Sequence, residues 1–141
     1  MSRFIFLRVY FPGNVFKMVK YSNVQLGIIG ENYACKSYSE LGYKIIVRNW
    51  RYSKLGEIDI IVCKNRTLIF SEVKTRSDAS FALPCLAVNK GKQRRIIKLA
   101  KAFVLCNPDY RYHNIRFDVC QVTVDKHGEF SVDIIENAFF C

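Results

Sequence analysis

Several residue types that mark specialised classes of protein are scarce in this chain. Its 141 residues include three prolines, two histidines and one tryptophan. The six cysteines are scattered, and the closest two, Cys106 and Cys120, are fourteen residues apart. The chain therefore has neither a Cys-x-x-Cys pair nor a Cys/His cluster with zinc spacing, which argues against a zinc site and against a disulfide framework. We expect a reducing, cytoplasmic compartment.

Long apolar runs are missing as well. The apolar patch at residues 4–11 is interrupted by Arg8 and closed by Pro12 and Gly13. It is too short to cross a bilayer, and it lacks the long apolar core and the small-residue cleavage site of a signal peptide. We therefore expect no stable membrane insertion.

The length of the chain fits one domain with a substantial core. Residues 1–20 differ from the remainder and are interpreted as an amino-terminal extension outside the core, with Met18 as an alternative start of translation. Residues 21–141 are predicted to form a single domain, because no linker, repeat or low-complexity segment divides them. A protein-interaction or membrane-surface role for residues 1–17 is an alternative.

Acidic residues are outnumbered by basic ones. The chain has 12 Asp and Glu against 22 Lys and Arg, which gives a net charge of +10 and a pI near 9.5. A balance of this kind favours a polyanionic partner. Nucleic acid is the first expectation, ahead of an anionic membrane surface.

The most informative stretch consists of two β-rich runs, residues 56–63 and 68–76, joined by a short polar link. This is the pattern of an antiparallel hairpin. In the first run, alternation of side chains across a strand places three apolar residues on one face: Ile58, Ile60 and Val62. In the second run, alternation places Glu72 and Lys74 together on an otherwise apolar face, and the hairpin register can bring Asp59 beside them.

Charged side chains within apolar strands are costly to desolvate unless they are paired or bind an ion. Two carboxylates about 4 Å apart repel each other by roughly 4 kcal/mol at an effective dielectric constant near 20. A hard cation such as Mg²⁺ between Asp59 and Glu72 would relieve this repulsion, because it prefers oxygen ligands. Lys74 could direct a second positive charge at a substrate. A salt pair between two surface strands is the alternative interpretation.

A helical pattern begins at Asn23, interpreted as the N-cap, and ends at Leu41. Projection at about 100° per residue predicts one buried stripe, which consists of Val24, Gly27, Ile28, Glu31, Cys35 and Tyr38. A carboxylate on that stripe is either a hydrogen-bonded core acid or part of a site. We favour the site for Glu31, because the charged hairpin needs a covering helix.

A first strand is predicted over residues 44–51, leading towards the hairpin. Arg48 and Arg51 could contact a phosphate there, and ordinary charge at a strand edge is the equal alternative. Arg76, at the end of the hairpin, joins them as a candidate contact. Trp50 could stack on a base, but packing in or beside the core is the more common place for a single tryptophan.

A second helix is predicted over residues 90–106, ended by Asn107-Pro108. Its apolar stripe consists of Ile96, Leu99, Ala100 and Phe103. Lys92 and Gln93 flank this stripe at the end that faces the sheet, with Arg95 nearby, and a helix N-terminus of this kind suits phosphate oxygens. A solvated basic face is predicted for three residues on the other side: Arg94, Lys98 and Lys101.

The last third is β-rich, with strands predicted over residues 112–124 and 129–135 and a turn between them. His113 and His127 lie near strand ends without partner cysteines, so neither is expected to bind metal or to act in acid–base chemistry. Asp118 is interpreted as structural rather than catalytic.

The Asp59…Glu72-x-Lys74 arrangement resembles the PD-(D/E)XK nuclease superfamily. The order helix, three strands, helix, two strands is close to the αβββαβ core of that superfamily. More specifically, the chain resembles the YraN family of small endonuclease-like proteins over roughly residues 24–139. The matching motifs are Gly27…Gly30-Glu31…Ala34, Gly42-Tyr43, Arg48-Asn49…Arg51, Gly56-Glu57-Ile58-Asp59-Ile60-Ile61, Glu72-Val73-Lys74-Thr75-Arg76, Lys92…Arg95-Ile96, Arg116-Phe117-Asp118-Val119 and Asn137-Ala138-Phe139.

The resemblance implies an α/β fold with a mixed central sheet flanked by helices, of the restriction-endonuclease type. It implies a metal-dependent endonuclease that hydrolyses phosphodiester bonds in nucleic acid. DNA is expected ahead of RNA, and branched or structured DNA is a plausible substrate. Small relatives in the superfamily act as dimers, so the resemblance also allows a homodimer. Nucleic-acid contacts would come from Arg48, Arg51, Arg76, Lys92, Gln93 and Arg95.

The resemblance also implies a role for each residue of the site. Asp59, Glu72 and the backbone carbonyl of Val73 would bind Mg²⁺ or Mn²⁺. Glu31 would hold a second ion or one of its water ligands. Lys74 would orient the attacking water or stabilise the transition state.

Two positions depart from the family pattern: Ser71 stands where an apolar residue is usual, and Ala82 stands where glycine is usual. The first is expected to cost some packing and the second some loop freedom. The main alternative is a non-catalytic nucleic-acid-binding module on the same fold, with its carboxylates kept as structural ion pairs. Retention of Asp59, Glu72 and Lys74 together argues against it, because a degenerate site usually loses at least one.

Overall fold

The computed structural model describes residues 4–13, 15–77 and 88–140. The loop predicted after the hairpin, with Ala82, lies outside the described residues. In chain order the elements are β1 Phe4–Phe11, β2 Val15–Ser22, α1 Asn23–Glu40, β3 Lys44–Tyr52, β4 Gly56–Lys64, β5 Thr67–Ser77, α2 Lys90–Cys106, a short 3-10 helix Pro108–Tyr110, β6 Asn114–Val124 and β7 Phe130–Phe139.

A five-stranded sheet in the order β3-β4-β5-β6-β7 forms the centre of the fold. β5 pairs with β6 in parallel, and the other neighbours are antiparallel. Parallel neighbours need a crossover connection, and α2 lies in the one between β5 and β6. The predicted mixed sheet flanked by helices is therefore confirmed. In the part of the chain that the structure describes, no helix has the length and apolarity needed to span a membrane.

Each face of the sheet carries its own core. On the α2 face, Phe70, Leu99 and Phe103 are buried in one cluster. On the α1 face, Tyr38 and Ile69 are buried in another. The two helices therefore sandwich the sheet, and β5 contributes side chains to both layers.

The β4–β5 hairpin has the predicted pairing, with Lys64 opposite Thr67. Asn65 and Arg66 connect the strands and both have positive φ, 49° and 57°, as a two-residue type I′ turn requires. The turn thus matches the right-handed twist of the strands, although Arg66 occupies a position that glycine favours.

The predicted alternation along β4 is wrong at one point. Ile60 and Val62 pack into the α1-side core, but Ile58 packs into the α2-side core. The alternation therefore breaks at Asp59. Opposite this point on β3, between the pairs Arg48–Ile60 and Trp50–Ile58, lies Asn49 with a φ of 50°. Local irregularities of this kind re-aim side chains next to functional sites.

The start and the buried stripe of α1 also differ from the prediction. Ser22, and not Asn23, is the N-cap, and its side chain forms a reciprocal capping box with Gln25. Val24 and Ile28 are 73% and 54% exposed. The buried residues are Leu26, Gly30, Ala34 and Tyr38.

The reason for this difference is the close approach of α1 to β5. A Cβ added to Gly30 would stand 1.8 Å from Oγ1 of Thr75. The helix therefore contacts the sheet through its small residues, and the large apolar residues on which the projection was centred lie to the side.

Helix α2 has the predicted bounds and the predicted buried stripe. Asn89 caps its N-terminus by accepting a hydrogen bond from the Lys92 backbone N–H, at 2.9 Å. Arg94, Lys98 and Lys101 are exposed, as expected. Trp50 packs edge-on against Phe103, so its predicted packing beside the core is confirmed.

The strands β1 and β2 form a separate two-stranded antiparallel sheet. β2 leads directly into α1, and Tyr21 packs against Leu26 and Val124. The assignment of residues 1–20 to an extension outside the core stays a prediction.

Candidate functional site

The candidate site lies where β5 carries Glu72 and Lys74 beside Asp59 of β4. Asp59 accepts a hydrogen bond of 2.8 Å from the Val73 backbone N–H to its Oδ2. The Glu72 carboxyl group is close enough for its negative charge to act on Asp59, and Glu72 is only 4% exposed. The hairpin therefore brings the two predicted acids together, with Asp59 half-buried and Glu72 buried.

The two carboxyl groups differ in how their charge is compensated. Among the described residues, Glu72 has two cationic partners and Asp59 has none. Burial, followed by the negative charge of Glu72, raises the pKa of Asp59 from an ordinary value near 3.8 to about 7. Both cationic partners of the pair therefore lie on Glu72, and Asp59 is left without one among the described residues.

Two lysines contact the same oxygen of Glu72. Lys74 on β5 places its Nζ 3.3 Å from Oε1, and Lys92 on α2 places its Nζ 2.5 Å from it. Both predicted orientations are confirmed: Lys74 shares the face of Glu72, and Lys92 faces the sheet. Gln93 donates instead to the buried backbone carbonyl of Val88, at 2.9 Å.

Glu31 stands apart from this pair and approaches from the opposite layer. Its Oε2 accepts a hydrogen bond of 3.1 Å from Asn49 Nδ2 and lies 3.7 Å from an Arg48 nitrogen. The negative charge of Glu31 still contributes to the raised pKa of Asp59, less than burial and the charge of Glu72 do, while the Val73 hydrogen bond lowers that pKa. In the described ranges, no three acidic, histidine or cysteine side chains are grouped closely enough to hold one ion. The role of Glu31 as a metal ligand stays a prediction.

The other basic candidates are Arg51, Arg76 and Arg95, and each lies at least partly at the surface. Arg51 pairs with exposed Glu57 at 2.7 Å. Arg76 is half-buried near the end of β5, and Arg95 is exposed on the first half of α2. The side chain of Arg95 passes close to Gly56. A Cβ added at Gly56 would stand 3.3 Å from Arg95 Cδ.

Asn49 is the site residue whose role sequence reasoning missed. It contacts Glu31 and has positive φ within a strand, a conformation that asparagine tolerates better than most residues. The available signal is weak: asparagine is uncommon inside strands, and the motif Arg48-Asn49…Arg51 by itself predicts no role for its asparagine.

A second buried polar group lies on the α1 side of the sheet. Fully buried Asp118 receives two hydrogen bonds of 2.9 Å from Arg116 and one of 3.2 Å from the Asn137 backbone. The Tyr38 hydroxyl lies 3.1 Å from Asp118 and 2.9 Å from Ser71 Oγ. Ser71 therefore gains a polar partner, which offsets the packing cost expected for it, and these contacts agree with a structural Asp118.

The donor set at Asp59 and Glu72 fits a hard divalent cation. Two adjacent carboxylates, one with a raised pKa and no cationic partner among the described residues, supply the oxygen ligands that Mg²⁺ and Mn²⁺ prefer. The backbone carbonyl of Val73, between Glu72 and Lys74, is the third donor that the sequence predicted.

Comparison with known proteins gives a consistent result. The family model described as "Uncharacterised protein family UPF0102" matches residues 30–122. A UPF0102 protein of Dictyoglomus turgidum is 38% identical over 119 residues, which cover 84% of this chain and 99% of that protein. A UPF0102 protein of Treponema pallidum is 42% identical over 113 residues, which cover 80% and 89%. One of Alkaliphilus oremlandii is 40% identical over 121 residues, covering 83% and 99%.

Proposed function

This chain belongs to the UPF0102 family, as its resemblance to the YraN family predicted, and from the geometry of its charged hairpin we propose that the hairpin is the active site of a metal-dependent endonuclease. The reaction is hydrolysis of phosphodiester bonds in nucleic acid, and DNA is the expected substrate. The observation that carries the proposal is the pair of adjacent carboxyl groups of half-buried Asp59 and buried Glu72, with Lys74 beside them.

Asp59, Glu72 and the Val73 carbonyl would hold Mg²⁺ or Mn²⁺. The ion would supply Lewis-acid activation of the attacking water and neutralise charge that develops at the phosphate. The Val73 N–H fixes the Asp59 carboxylate by donating to its Oδ2. A rigid donor set lowers the reorganisation required at the moment of reaction.

Lys74 would act on the substrate side of the pair. Its side chain is 30% exposed and its Nζ remains 3.3 Å from Glu72, so the ammonium is oriented yet reachable by solvent. A positive charge fixed in this way can orient the attacking water or stabilise negative charge on the pentavalent transition state. Glu31, oriented by Asn49, would hold a second ion or one of its water ligands.

The basic surface around the site supports binding of a phosphate backbone. The proposed contacts come from β3, the end of β5 and the first half of α2: Arg48, Arg51, Arg76, Lys92, Gln93 and Arg95. Contacts of this type track the backbone without reading sequence, which suits a substrate recognised by its structure, such as branched DNA. We expect affinity to fall steeply with salt.

The test is cleavage of labelled single-stranded, duplex, flap and four-way-junction DNA with Mg²⁺, with Mn²⁺ and with chelator. Wild type is compared with Asp59→Asn and Lys74→Ala, and Lys98→Ala on the exposed face of α2 is the control. We expect metal-dependent cutting that both site variants lose and the control retains. Cutting that persists in Asp59→Asn, or in chelator, would contradict the proposal.

One observation favours a second candidate, a non-catalytic nucleic-acid-binding module. Glu72 already has two lysine partners, so its charge can be compensated without any metal. In that case the same basic surface would bind DNA with equal affinity in wild type and in Asp59→Asn. No substrate in the panel would be cut under any metal condition.

A further inference from the structure

Lys92 differs from the other cations of α2 by facing a buried acid. Its Nζ lies 2.5 Å from Glu72 Oε1, whereas the neighbouring cations Arg94 and Lys98 are exposed. The N-cap bond from its backbone N–H to Asn89 holds the first turn of α2 beside the site. The side chain thus spans from an ordered helix start to the carboxylate.

The position of Lys92 makes it a competitor for a metal ion. A divalent cation between Asp59 and Glu72 would need electron pairs of Glu72, and Lys92 and Lys74 both lie on one oxygen of that carboxylate. Two like charges a few ångströms apart in a partly buried site repel each other strongly. The Lys92 side chain is 36% exposed, so its flexible stem has a route out to solvent.

The charges of the site favour replacement of Lys92 by a divalent cation at Glu72. Asp59 and Glu72, when both are ionised, balance Lys74 and Lys92. Adding a divalent cation without moving a lysine would leave two uncompensated positive charges in a poorly solvated place. Moving Lys92 outward removes one of them from the carboxylate and presents it to solvent beside the proposed phosphate contact Arg95.

We propose that Lys92 is a built-in counter-ion that exchanges with the divalent cation on Glu72, and that the released ammonium then binds a phosphate of the nucleic acid. This inference rests on the proposed function and adds a coupling between its two ligands. A single side chain links the cation site to the substrate surface. By thermodynamic reciprocity, cation and nucleic acid must each strengthen the binding of the other.

The first measurement is Mn²⁺ binding at pH 8 without nucleic acid, for wild type, Lys92→Met and Lys98→Met. Methionine keeps much of the apolar stem and removes the charge, and Lys98 is a matched control on the exposed face of the same helix. Because the competing ammonium is gone, we expect Lys92→Met to bind Mn²⁺ about tenfold more tightly than wild type. Lys98→Met is expected to match wild type.

A second variant separates charge from packing. Lys92→Gln keeps a hydrogen-bond donor near Glu72 and loses the charge, so its Mn²⁺ affinity should also exceed that of wild type, by less than the methionine variant. Thermal unfolding in chelator checks that each variant is folded. If Lys92→Met does not fold, the glutamine variant alone decides: an Mn²⁺ affinity equal to or below that of wild type overturns the inference.

The third measurement tests the coupling on duplex DNA, with Ca²⁺ in place of Mg²⁺ to limit turnover. We expect Ca²⁺ to raise the DNA affinity of wild type and of Lys98→Met about tenfold, and that of Lys92→Met at most threefold, because the released cation is missing. Equal enhancement in all three proteins overturns the coupling.

The outcomes separate the inference from the proposed function. Mn²⁺ bound equally by wild type, Lys92→Met and Lys92→Gln overturns the exchange and leaves the metal site intact. No Mn²⁺ binding by any of these proteins contradicts the metal site of the proposed function, and the exchange is overturned with it.

Discussion

Two carboxylates in this molecule are removed from water in opposite ways. Asp118 is fully buried and receives four hydrogen bonds, two of them from one guanidinium. Asp59 receives one backbone hydrogen bond and has Glu72 as its neighbour. The first acid is saturated with donors, and the second is left under-compensated. A buried charge with every lone pair satisfied belongs to the fold, whereas one that lacks a counter-charge suits a ligand that is still to arrive.

The largest expected effect on stability comes from removing Asp118, the fully hydrogen-bonded carboxylate. Asp118→Ala leaves the Arg116 guanidinium, 15% exposed, without its main partner and removes a partner of Tyr38. Removal of one member of a buried ion pair costs about 3–5 kcal/mol of unfolding free energy. Urea unfolding measures this, and a loss below about 1 kcal/mol would contradict the structural role of Asp118.

Substitutions at two glycines of α1, Gly30 and Gly27, test how closely this helix packs on the sheet. Gly30→Ala would force a Cβ into Thr75 and should destabilise the protein by about 2–3 kcal/mol. Gly27→Ala has no neighbour within 4 Å and should stabilise α1 by about 0.5–1 kcal/mol through helix propensity. Thermal unfolding of both variants measures the difference. Equal effects would show that α1 does not approach β5 closely.

The third change removes the imbalance at Asp59. A carboxyl group with a higher pKa in the folded state favours folding while it is protonated, and this contribution is lost as the pH rises from about 4 through about 7. The side chain of Asp59→Asn cannot ionise, so the variant does not pay the free-energy cost of ionising a poorly compensated carboxyl group. Its amide oxygen can still accept a hydrogen bond from the Val73 N–H. We expect the variant to be more stable than wild type by about 2 kcal/mol at pH 8 in chelator, a value discounted for partial exposure.

Two further measurements compare Asp59→Asn with wild type, one at pH 4 and one with Mg²⁺. At pH 4 the stability difference between Asp59→Asn and wild type should vanish. Mg²⁺ should raise the melting temperature of wild type and leave that of the variant unchanged, because ligand binding stabilises only the protein that binds it. A variant less stable than wild type at pH 8 would contradict the under-compensated state of Asp59.

The smallest effect is expected outside both regions, at the hairpin turn. Arg66 has a φ of 57°, so Arg66→Gly should stabilise the turn by about 0.5–1 kcal/mol. Its response to Mg²⁺ should equal that of wild type. Loss of that response would mean that the turn and the candidate site are coupled.

Much of the fold could be predicted because its signals are local. The hairpin and α2 followed from periodicities of two and 3.6 residues. The buried stripe of α1 could not be predicted in this way, because the helix contacts the sheet through Gly30 and Ala34 and leaves Val24 and Ile28 outside. Projection of the sequence onto a helix emphasises large apolar residues, whereas a close approach between two backbones requires small residues.

The acidic residues of the site could be predicted from the sequence, but their contacts with Lys92 and Asn49 could not. Asp59, Glu72 and Lys74 share a hairpin, so strand pairing brings them near each other, although the break in alternation at Asp59 was not predicted. The contact of Lys92 with Glu72 depends on how α2 crosses the sheet, and the contact of Asn49 with Glu31 depends on one residue with positive φ. Tertiary packing and a local backbone irregularity decide both, and neither leaves a periodic signal.

The parallel pairing of β5 with β6 also has a consequence for the order of folding. The β4–β5 hairpin closes through a two-residue turn, an event of microseconds, whereas β6 must pair across the long segment between Thr67 and Asn114. Asp59 and Glu72 therefore meet early, before α2 delivers Lys92. We expect their mutual repulsion to slow refolding at neutral pH, and mild acid to speed it by protonating Asp59, whose pKa is raised by burial and by the charge of Glu72.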